Sequence, residues 1–270
     1  MHHLRGKMPF RFGGTSWVTS GSFEDNLRSL ASYVEDMELV LFDTQQGCNI
    51  PTATEVTRLA TLCDELGMTC TVHFPVDICP FVDSRGRTLA EDACLRMVDL
   101  FAPLHPFAWV VHFVGKDYLP PGDDSLWRER TARSAERLRR AVSFGRELCV
   151  ETLNYPFEQV APVVRDLDLS VCLDVGHLIA YGFDLEKNIK EWLDRSRVVH
   201  LHGVAPDGTD HAALSWMDEG LLGYLLGAFA RADGERVVTL EVFEGDFKQS
   251  LPPIERALRG WGMEQRRCQR

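Results

Sequence analysis

Three absences narrow the class of protein before any motif is considered. No apolar run reaches the roughly 18 residues of a membrane span, and the opening segment, MHHLRGKMPF, lacks the apolar stretch of a secretory signal. The chain has 8 cysteines, but none of them forms the Cys-x-x-Cys pair of a zinc knuckle. We therefore expect no membrane association, a cytoplasmic location, and cysteines that remain free thiols in a reducing compartment.

Positive charge is also scarce. Lysine and arginine together number 29 against 40 aspartates and glutamates, so the net charge is −11. A protein that binds a nucleic-acid backbone usually presents a basic face. The most basic stretch, from Arg128 to Arg146, has the apolar spacing of an amphipathic helix, which indicates a solvated helix face. We expect a small-molecule substrate rather than nucleic acid, and the oligomeric state stays open.

Short β-branched runs alternate with helical patterns along the chain, and this alternation predicts the fold. The candidate strands are 10–17, 37–43, 69–75, 108–114, 148–154, 170–175, 197–203 and 236–243. The helical patterns lie at 23–34, 52–66, 90–102, 125–145, 157–166, 184–195, 217–232 and 247–260, and Pro252–Pro253 indicates that the last one starts nearer residue 252. Repeated βα units predict a closed (β/α)8 TIM barrel and a single domain over residues 1–270. An open doubly wound sheet is the alternative, but its usual Gly-x-Gly-x-x-Gly turn is missing from TSWVTSGSF.

Imidazoles and carboxylates stand at the ends of the last six candidate strands or in the turns and loops that follow them. They are His73, His112, Glu151, Asp174, His177, His200, His202, Asp210, His211 and Glu241. In a parallel barrel the carboxyl ends of all strands face one mouth, so these groups should converge. Neutral imidazole and carboxylate are the ligands of a divalent metal such as zinc, which takes about four of them. We predict two or three zinc ions, with manganese as the alternative.

A histidine near a strand end is more often a packing residue than a ligand, so the carboxylates carry more weight. Glu151, Asp174 and Glu241 lie in or just after runs of Val, Leu and Cys, where an unpaired carboxylate is costly to bury. Two metals sharing Glu151 or Glu241 would suit phosphodiester hydrolysis, with these two residues as the catalytic carboxylates. One metal held by the three carboxylates and a single histidine would suit a sugar isomerase or epimerase. A barrel that only binds its ligand is the third alternative.

The motifs VHFP, VVHF, ETLN, CLDVGH, HLHG, DH and LEVF, in that order, resemble the xylose isomerase-like barrel superfamily that includes endonuclease IV. The resemblance to the nuclease branch implies three zinc ions held by the residues named above, with either His200 or His202 as ligand. One departure is visible: Asp210 and His211 are adjacent, whereas the nuclease pattern separates them by one residue. The resemblance therefore leaves the third metal open.

Within this superfamily, GGTSW, MELVLFDTQ, ETLNYPFE, SVCLDVGHLIAYGFDL and VVHLHGV look like the cobamide-remodelling phosphodiesterases of the CbiR family. That resemblance implies cleavage of the nucleotide-loop phosphodiester of a B12-type cobamide, which releases cobinamide and the lower-ligand riboside phosphate. Candidate substrate contacts are Trp17, Asn154 and Tyr181. A corrinoid is large, so we expect a wide and partly apolar mouth, with Phe81, Phe113 and Tyr155 as further wall residues.

Overall fold

Eight parallel strands close into a barrel. The structure is a computed structural model that describes residues 3–114 and 124–268. Its strands are β1 (Arg11–Thr15), β2 (Asp36–Val40), β3 (Asp43–Thr44), β4 (Gly47–Cys48), β5 (Thr69–His73), β6 (Ala108–Val111), β7 (Leu148–Glu151), β8 (Ser170–Asp174), β9 (Ser196–Leu201) and β10 (Val237–Leu240). All except β3 and β4 belong to the barrel, in which β10 pairs with β1 to close the ring. The predicted (β/α)8 barrel is confirmed.

Helices connect the strands around the outside. They are α1 (Phe23–Leu30), α2 (Ala53–Leu66), α3 (Ser84–Phe101), α4 (Asp124–Arg139), α5 (Ala161–Asp166), α6 (Val175–Ala180), α7 (Leu185–Trp192), α8 (Glu219–Arg231) and α9 (Glu244–Cys268). The start of α2 is a capping box between Thr52 and Glu55, and its end is Gly67 in the left-handed region at φ 60°. Both are visible in the sequence as a threonine followed three residues later by a glutamate, and as a glycine directly after the last helical residue.

Most predicted strands extend two or three residues too far at their carboxyl ends. After the last paired residue, the chain turns away into the loops of the mouth, and these loops carry polar side chains rather than ladder hydrogen bonds. Residues 41–50 show the effect, since Asp43 lies on the exposed hairpin formed by β3 and β4 and not at the end of β2. The short helix α6, which follows β8 directly, had no helical pattern of its own in the sequence.

The prediction for the last helix was wrong. Helix α9 begins at Glu244, and Pro252 and Pro253 lie inside it. Proline cannot donate a backbone hydrogen bond, so this helix loses bonds that an ordinary one would make. Its apolar face compensates, because Phe247 and Ile254 are buried in the main core of the protein.

The core has two layers. The larger one lies between the barrel and the helices, and a small cluster of Val, Ala, Cys and Phe side chains fills the barrel at its amino-terminal end. Five cysteines are free and buried, as expected, whereas Cys48 is exposed on β4. Within the described residues, no helix is both long and apolar enough to cross a lipid bilayer.

Candidate metal centre at the mouth of the barrel

The carboxyl ends of six consecutive barrel strands bring the predicted ligands together. His73, Glu151 and Asp174 are the last residues of β5, β7 and β8, while His112 and Glu241 directly follow β6 and β10. His200 lies in β9 and His202 follows it. Among the described residues, the donor atoms of these side chains, together with those of His177 and His211, form three adjacent groups in which all atoms lie within 4.8 Å of one another.

The first group contains His73, His112 and Glu151. The Nε2 atoms of the two histidines are 3.1 Å apart, and Glu151 Oε2 lies 3.4 Å from that of His73 and 2.9 Å from that of His112. The other nitrogen of His112, Nδ1, donates to Asp77 over 2.9 Å. This hydrogen bond places the proton on Nδ1, so Nε2 is free to accept a cation.

The central group contains Glu151, Asp174, His200 and Glu241. His200 Nδ1 lies 3.0 Å from Glu241 Oε2, 3.5 Å from Asp174 Oδ2 and 3.7 Å from Glu151 Oε2. On the far side of the same ring, Nε2 lies 3.0 and 3.1 Å from the two oxygens of Glu38. His200 and Glu38 are both completely buried. Glu38 therefore holds the proton on Nε2 and directs Nδ1 into the pocket.

The third group contains Asp174, His177, His202 and His211. Asp174 Oδ2 lies 3.2 Å from His177 Nδ1, and Asp174 Oδ1 lies 3.2 Å from His202 Nε2. The rings of His202 and His211 stack with their centroids 4.3 Å apart. Asp210 is not a member of this group, because its carboxylate lies 3.1 Å from His211 Nδ1, on the outer side of the ring. His200 and His202 thus belong to different pockets, which the sequence did not resolve.

Two glycines and one strained residue hold the third group in place. A Cβ on Gly176 would lie 2.0 Å from the ring of His202, and a Cβ on Gly203 would lie 2.3 Å from the carbonyl oxygen of Ala213. Only glycine fits at either position. His211 has φ 50°, a left-handed conformation that is uncommon outside glycine. In this conformation the His211 ring turns towards Glu241, and its Nε2 lies 3.3 Å from Glu241 Oε2.

Several buried polar atoms in these pockets lie close to one another, but they make no hydrogen bond of normal geometry among the described residues. They are Glu151 Oε1, Asp174 Oδ2, His200 Nδ1, His202 Nε2 and Glu241 Oε2. Buried polar atoms in folded proteins are normally satisfied, so a cluster of orphans indicates a missing partner. All five belong to predicted ligands and face shared pockets. A divalent cation fits this donor set in charge and in chemistry.

The pKa values of the pocket residues report strong electrostatic coupling. Burial alone would lower the pKa of His112, but the carboxylates of Glu151 and Asp77 raise it to about 10. The pKa of His177 and that of His211 rise to about 9, against burial, because of Asp174 and Glu241 respectively. Burial would raise the pKa of Glu151, yet the imidazoles of His112 and His200 hold it well below its usual range. Without a cation, protons must supply the positive charge that these carboxylates require.

Two residues of the centre were not found from the sequence. Glu38 lies in the apolar run MELV and gives the same signal as Glu151 and Glu241, but the predicted strand 37–43 places it near the start of the strand rather than at its carboxyl end. Asp77 lies in the loop after β5, where no periodicity marks it. Cys172 adds a thiol within reach of Glu151 and His200 beneath the central group, and burial raises its pKa well above the usual value.

The residues predicted to contact substrate differ in their exposure. Trp17 and Tyr181 are exposed, and the Tyr181 ring lies 5.8 Å from that of His177. Asn154 is half-buried in the loop after β7. Phe113 and Tyr155 are not wall residues, because both are buried in the core. Phe243, which was not singled out, is exposed and stacks on His211 at 5.7 Å.

With this geometry established, comparison with known proteins identifies the family. Residues 30–262 match the family model described as the xylose isomerase-like TIM barrel. The chain belongs to this family. Among curated proteins, no relative matches it in sequence.

Solved structures share the fold of this xylose isomerase-like barrel. A D-tagatose 3-epimerase-like protein is 17% identical with a TM-score of 0.75, over 94% of this chain and 99% of its own. Endonuclease IV from Thermus thermophilus is 19% identical with a TM-score of 0.65, over 94% and 99%. The IolI protein, whose structure contains a zinc atom, is 14% identical with a TM-score of 0.67, over 92% and 96%. At these identities, the likeness shows the fold alone.

Proposed function

We propose that the protein is a metal-dependent phosphodiesterase that hydrolyses the nucleotide-loop phosphodiester of a cobamide and releases cobinamide and the lower-ligand riboside phosphate. One observation carries the metal-dependent hydrolysis. Glu151 belongs to both the first and the central group, and Asp174 belongs to both the central and the third. Shared carboxylates support two or more cations held side by side, and paired cations suit displacement at phosphorus.

Bound divalent cations would lower the pKa of a water molecule and neutralise charge on the phosphate oxygens. His73, His112 and Glu151 would hold one cation, and Glu151, Asp174, His200 and Glu241 a second. Zinc fits the mixture of imidazole and carboxylate best, and manganese is the alternative. Glu38 and Asp77 would orient His200 and His112 from behind.

Glu241 and Glu151 are the proposed catalytic carboxylates. Each lies between two groups, since Glu241 Oε2 is 3.0 Å from His200 Nδ1 and 3.3 Å from His211 Nε2. One of them would accept a proton from the attacking water as its oxygen bonds to phosphorus. The bond from phosphorus to the cobinamide oxygen would then break, and that oxygen would take up the proton that the carboxylate had accepted. The phosphate stays on the riboside, so atoms and charge balance.

The surroundings of the centre support a large and partly apolar substrate rather than a polyanion. Exposed aromatic side chains of Trp17, Tyr181 and Phe243 stand at or near the mouth. Arginines of the basic stretch pair with carboxylates, as Arg137 does with Glu91 and Asp92. Together with the net charge of −11, this favours a small-molecule corrinoid over a nucleic-acid backbone.

A sugar epimerase is the second candidate, and one observation favours it. The central group alone supplies Glu151, Asp174, His200 and Glu241, which is the predicted single-metal set. Several structures with this fold are described as ketose 3-epimerases. An abasic-site nuclease of the endonuclease IV type is a further alternative within the same family.

The purified protein should be incubated with zinc or manganese and three substrates in parallel: a cobamide, a ketose, and a duplex with one abasic site. We expect cobinamide and riboside phosphate as products from the first and no change in the others. Intact cobamide with a cleaved duplex or an epimerised ketose would refute the proposal. The E241Q variant separates an enzyme from a binding protein, since a binder has no turnover to lose.

A further inference from the structure

A separate cavity of about 640 Å³ lies where the chain leaves the carboxyl ends of β1 and β2. Its walls come from the loops that follow β1 and β2 and from the start of α1 and α2, and they include Trp17, Phe23, Cys48, Ile50 and Arg58. None of the candidate metal ligands lines it. Cavities of a few hundred to about 1,000 Å³ are typical of sites for ligands of drug size.

Trp17 lines this cavity, and backbone hydrogen bonds link it and its neighbour to residues beside the metal centre. Its carbonyl oxygen accepts a hydrogen bond of 2.7 Å from the backbone of Glu244, the neighbour of Phe243, which stacks on His211. The preceding residue, Ser16, donates its backbone N–H to the carbonyl of Glu38 over 2.8 Å. A ligand bound against Trp17 would therefore lie close to two of the metal pockets.

The indole of Trp17 offers a fixed flat surface. Its Nε1 donates to the carbonyl of Val40 over 3.3 Å, and its ring packs against Phe42 with centroids 5.6 Å apart. The side chain is nevertheless 37% exposed. Phe23 and Ile50 add apolar surface, and Arg58 and Glu24, whose charged atoms are 3.1 Å apart, form a polar part of the lining. A flat apolar wall beside polar groups suits a planar aromatic ring that carries a hydroxylated sugar.

We propose that this cavity binds the aromatic ring and the sugar of the phosphodiester substrate, with the ring against Trp17. The inference rests on the proposed function and adds to it the orientation of the substrate. The phosphate would reach into the metal centre, and the corrin, which is larger than a drug-sized ligand, would remain outside the cavity. The enzyme would then recognise the half of the substrate that leaves as the riboside phosphate.

The exposed thiol of Cys48 provides a direct test. Cys48 lines the cavity, whereas the other cysteines with described side chains are buried or half-buried. The metal-loaded protein should be treated with a maleimide in the presence of one of three probes: benzimidazole riboside phosphate, ribose phosphate without the ring, or cobinamide. Peptide mass spectrometry then reports the modification rate at Cys48 itself.

We expect the riboside phosphate to slow modification of Cys48 by about tenfold at an occupancy near 90%, and the other two probes to leave the rate unchanged. Protection by cobinamide, equal protection by ribose phosphate, or no protection by any probe would overturn the proposal. Cobamide hydrolysis is assayed separately. Hydrolysis without protection refutes this inference alone, whereas protection without hydrolysis refutes the proposed function alone.

Two variants locate the ring. W17A should weaken binding of the riboside phosphate about tenfold or more, as loss of an aromatic stacking partner does, and W17F should restore most of the affinity. Y224A is the matched control, because Tyr224 is 47% exposed on α8 and lines a different cavity. Equal affinity of W17A and Y224A for the riboside phosphate would contradict the assigned position of the ring.

Discussion

The two ends of the barrel both bury carboxylates, but they surround them differently. At the mouth, Glu151 faces His73, His112 and His177, and its pKa lies well below the usual range because imidazoles outweigh burial. At the opposite end, Asp36 is just as buried, accepts one hydrogen bond of 2.6 Å from Thr69, and has a pKa raised to about 6 by burial.

The difference shows what distinguishes a candidate metal site from a merely buried acid. Asp36 can avoid the cost of a buried negative charge by taking up a proton. Glu151, Asp174 and Glu241 repel one another across shared pockets, and imidazoles with unpaired nitrogens lie between them. This part of the molecule needs positive charge, which bound cations would supply.

The largest effect is expected at Glu151. E151Q removes the charge that the first and central groups share, so we predict loss of metal and a fall in phosphodiesterase turnover of about a thousandfold or more, since metals contribute several kcal/mol. Metal content and turnover measure this. E158Q is the control, because Glu158 pairs with Lys187 on the surface. Full metal content in E151Q would show that Glu151 is not a metal ligand.

Removing the charge of Asp36 should improve the protein, whereas removing that of Glu151 should impair it. Its pKa is raised from 3.8 to about 6, so stability falls as pH rises between these values and the penalty persists at higher pH. D36N should therefore stabilise the protein at pH 8 by up to about 3 kcal/mol, and give no gain near pH 4. Chemical denaturation at both pH values measures it. A D36N protein that is no more stable at pH 8 would show that Asp36 is not strained by burial.

Within the mouth, Glu38 positions the ring of His200 from behind. In E38Q, the amide can donate to His200 Nε2 and so shift the ring proton to Nδ1, which blocks the nitrogen that faces the central pocket. We predict zinc affinity about tenfold to a hundredfold lower, with the fold retained. Competition with a chelating dye measures the affinity, and thermal unfolding of the metal-free protein checks the fold. Wild-type affinity would mean that Glu38 does not position His200.

The smallest effect is expected at Asp77. Its side chain is 60% exposed although it contacts His112 in the same way as Glu38 contacts His200. Solvent weakens such an interaction, so D77N should lower zinc affinity by less than about tenfold. The same dye competition applies. An effect as large as that of E38Q would show that burial does not set the strength of these pairs.

The barrel was predictable because its signals are local and repeated. Alternation of β-branched runs and helical patterns depends on backbone geometry, and the order His73, His112, Glu151, Asp174 and Glu241 places ligands at strand ends in any parallel barrel. The capping box that begins α2 at Thr52 and the glycine that ends it at Gly67 are local in the same sense.

Features that depend on tertiary contacts were not predictable. The burial of Phe113 and Tyr155 and the exposure of Phe243 follow from packing that no spacing reveals. Helix α9 passes through Pro252 and Pro253 because core contacts outweigh the lost hydrogen bonds. Glu38 could have been recognised as a buried carboxylate, since it lies on the same strand face as Asp36, two residues away. Its role could not, because its partner His200 is 162 positions away along the chain.

The number of metal ions bound per chain decides whether neighbouring pockets at the mouth share their carboxylates. Protein purified without added metal, then loaded with zinc and freed of excess, should contain two or more ions per chain by elemental analysis, and E151Q should contain fewer. A single ion per chain in both proteins would contradict shared pockets at the mouth and favour the epimerase instead.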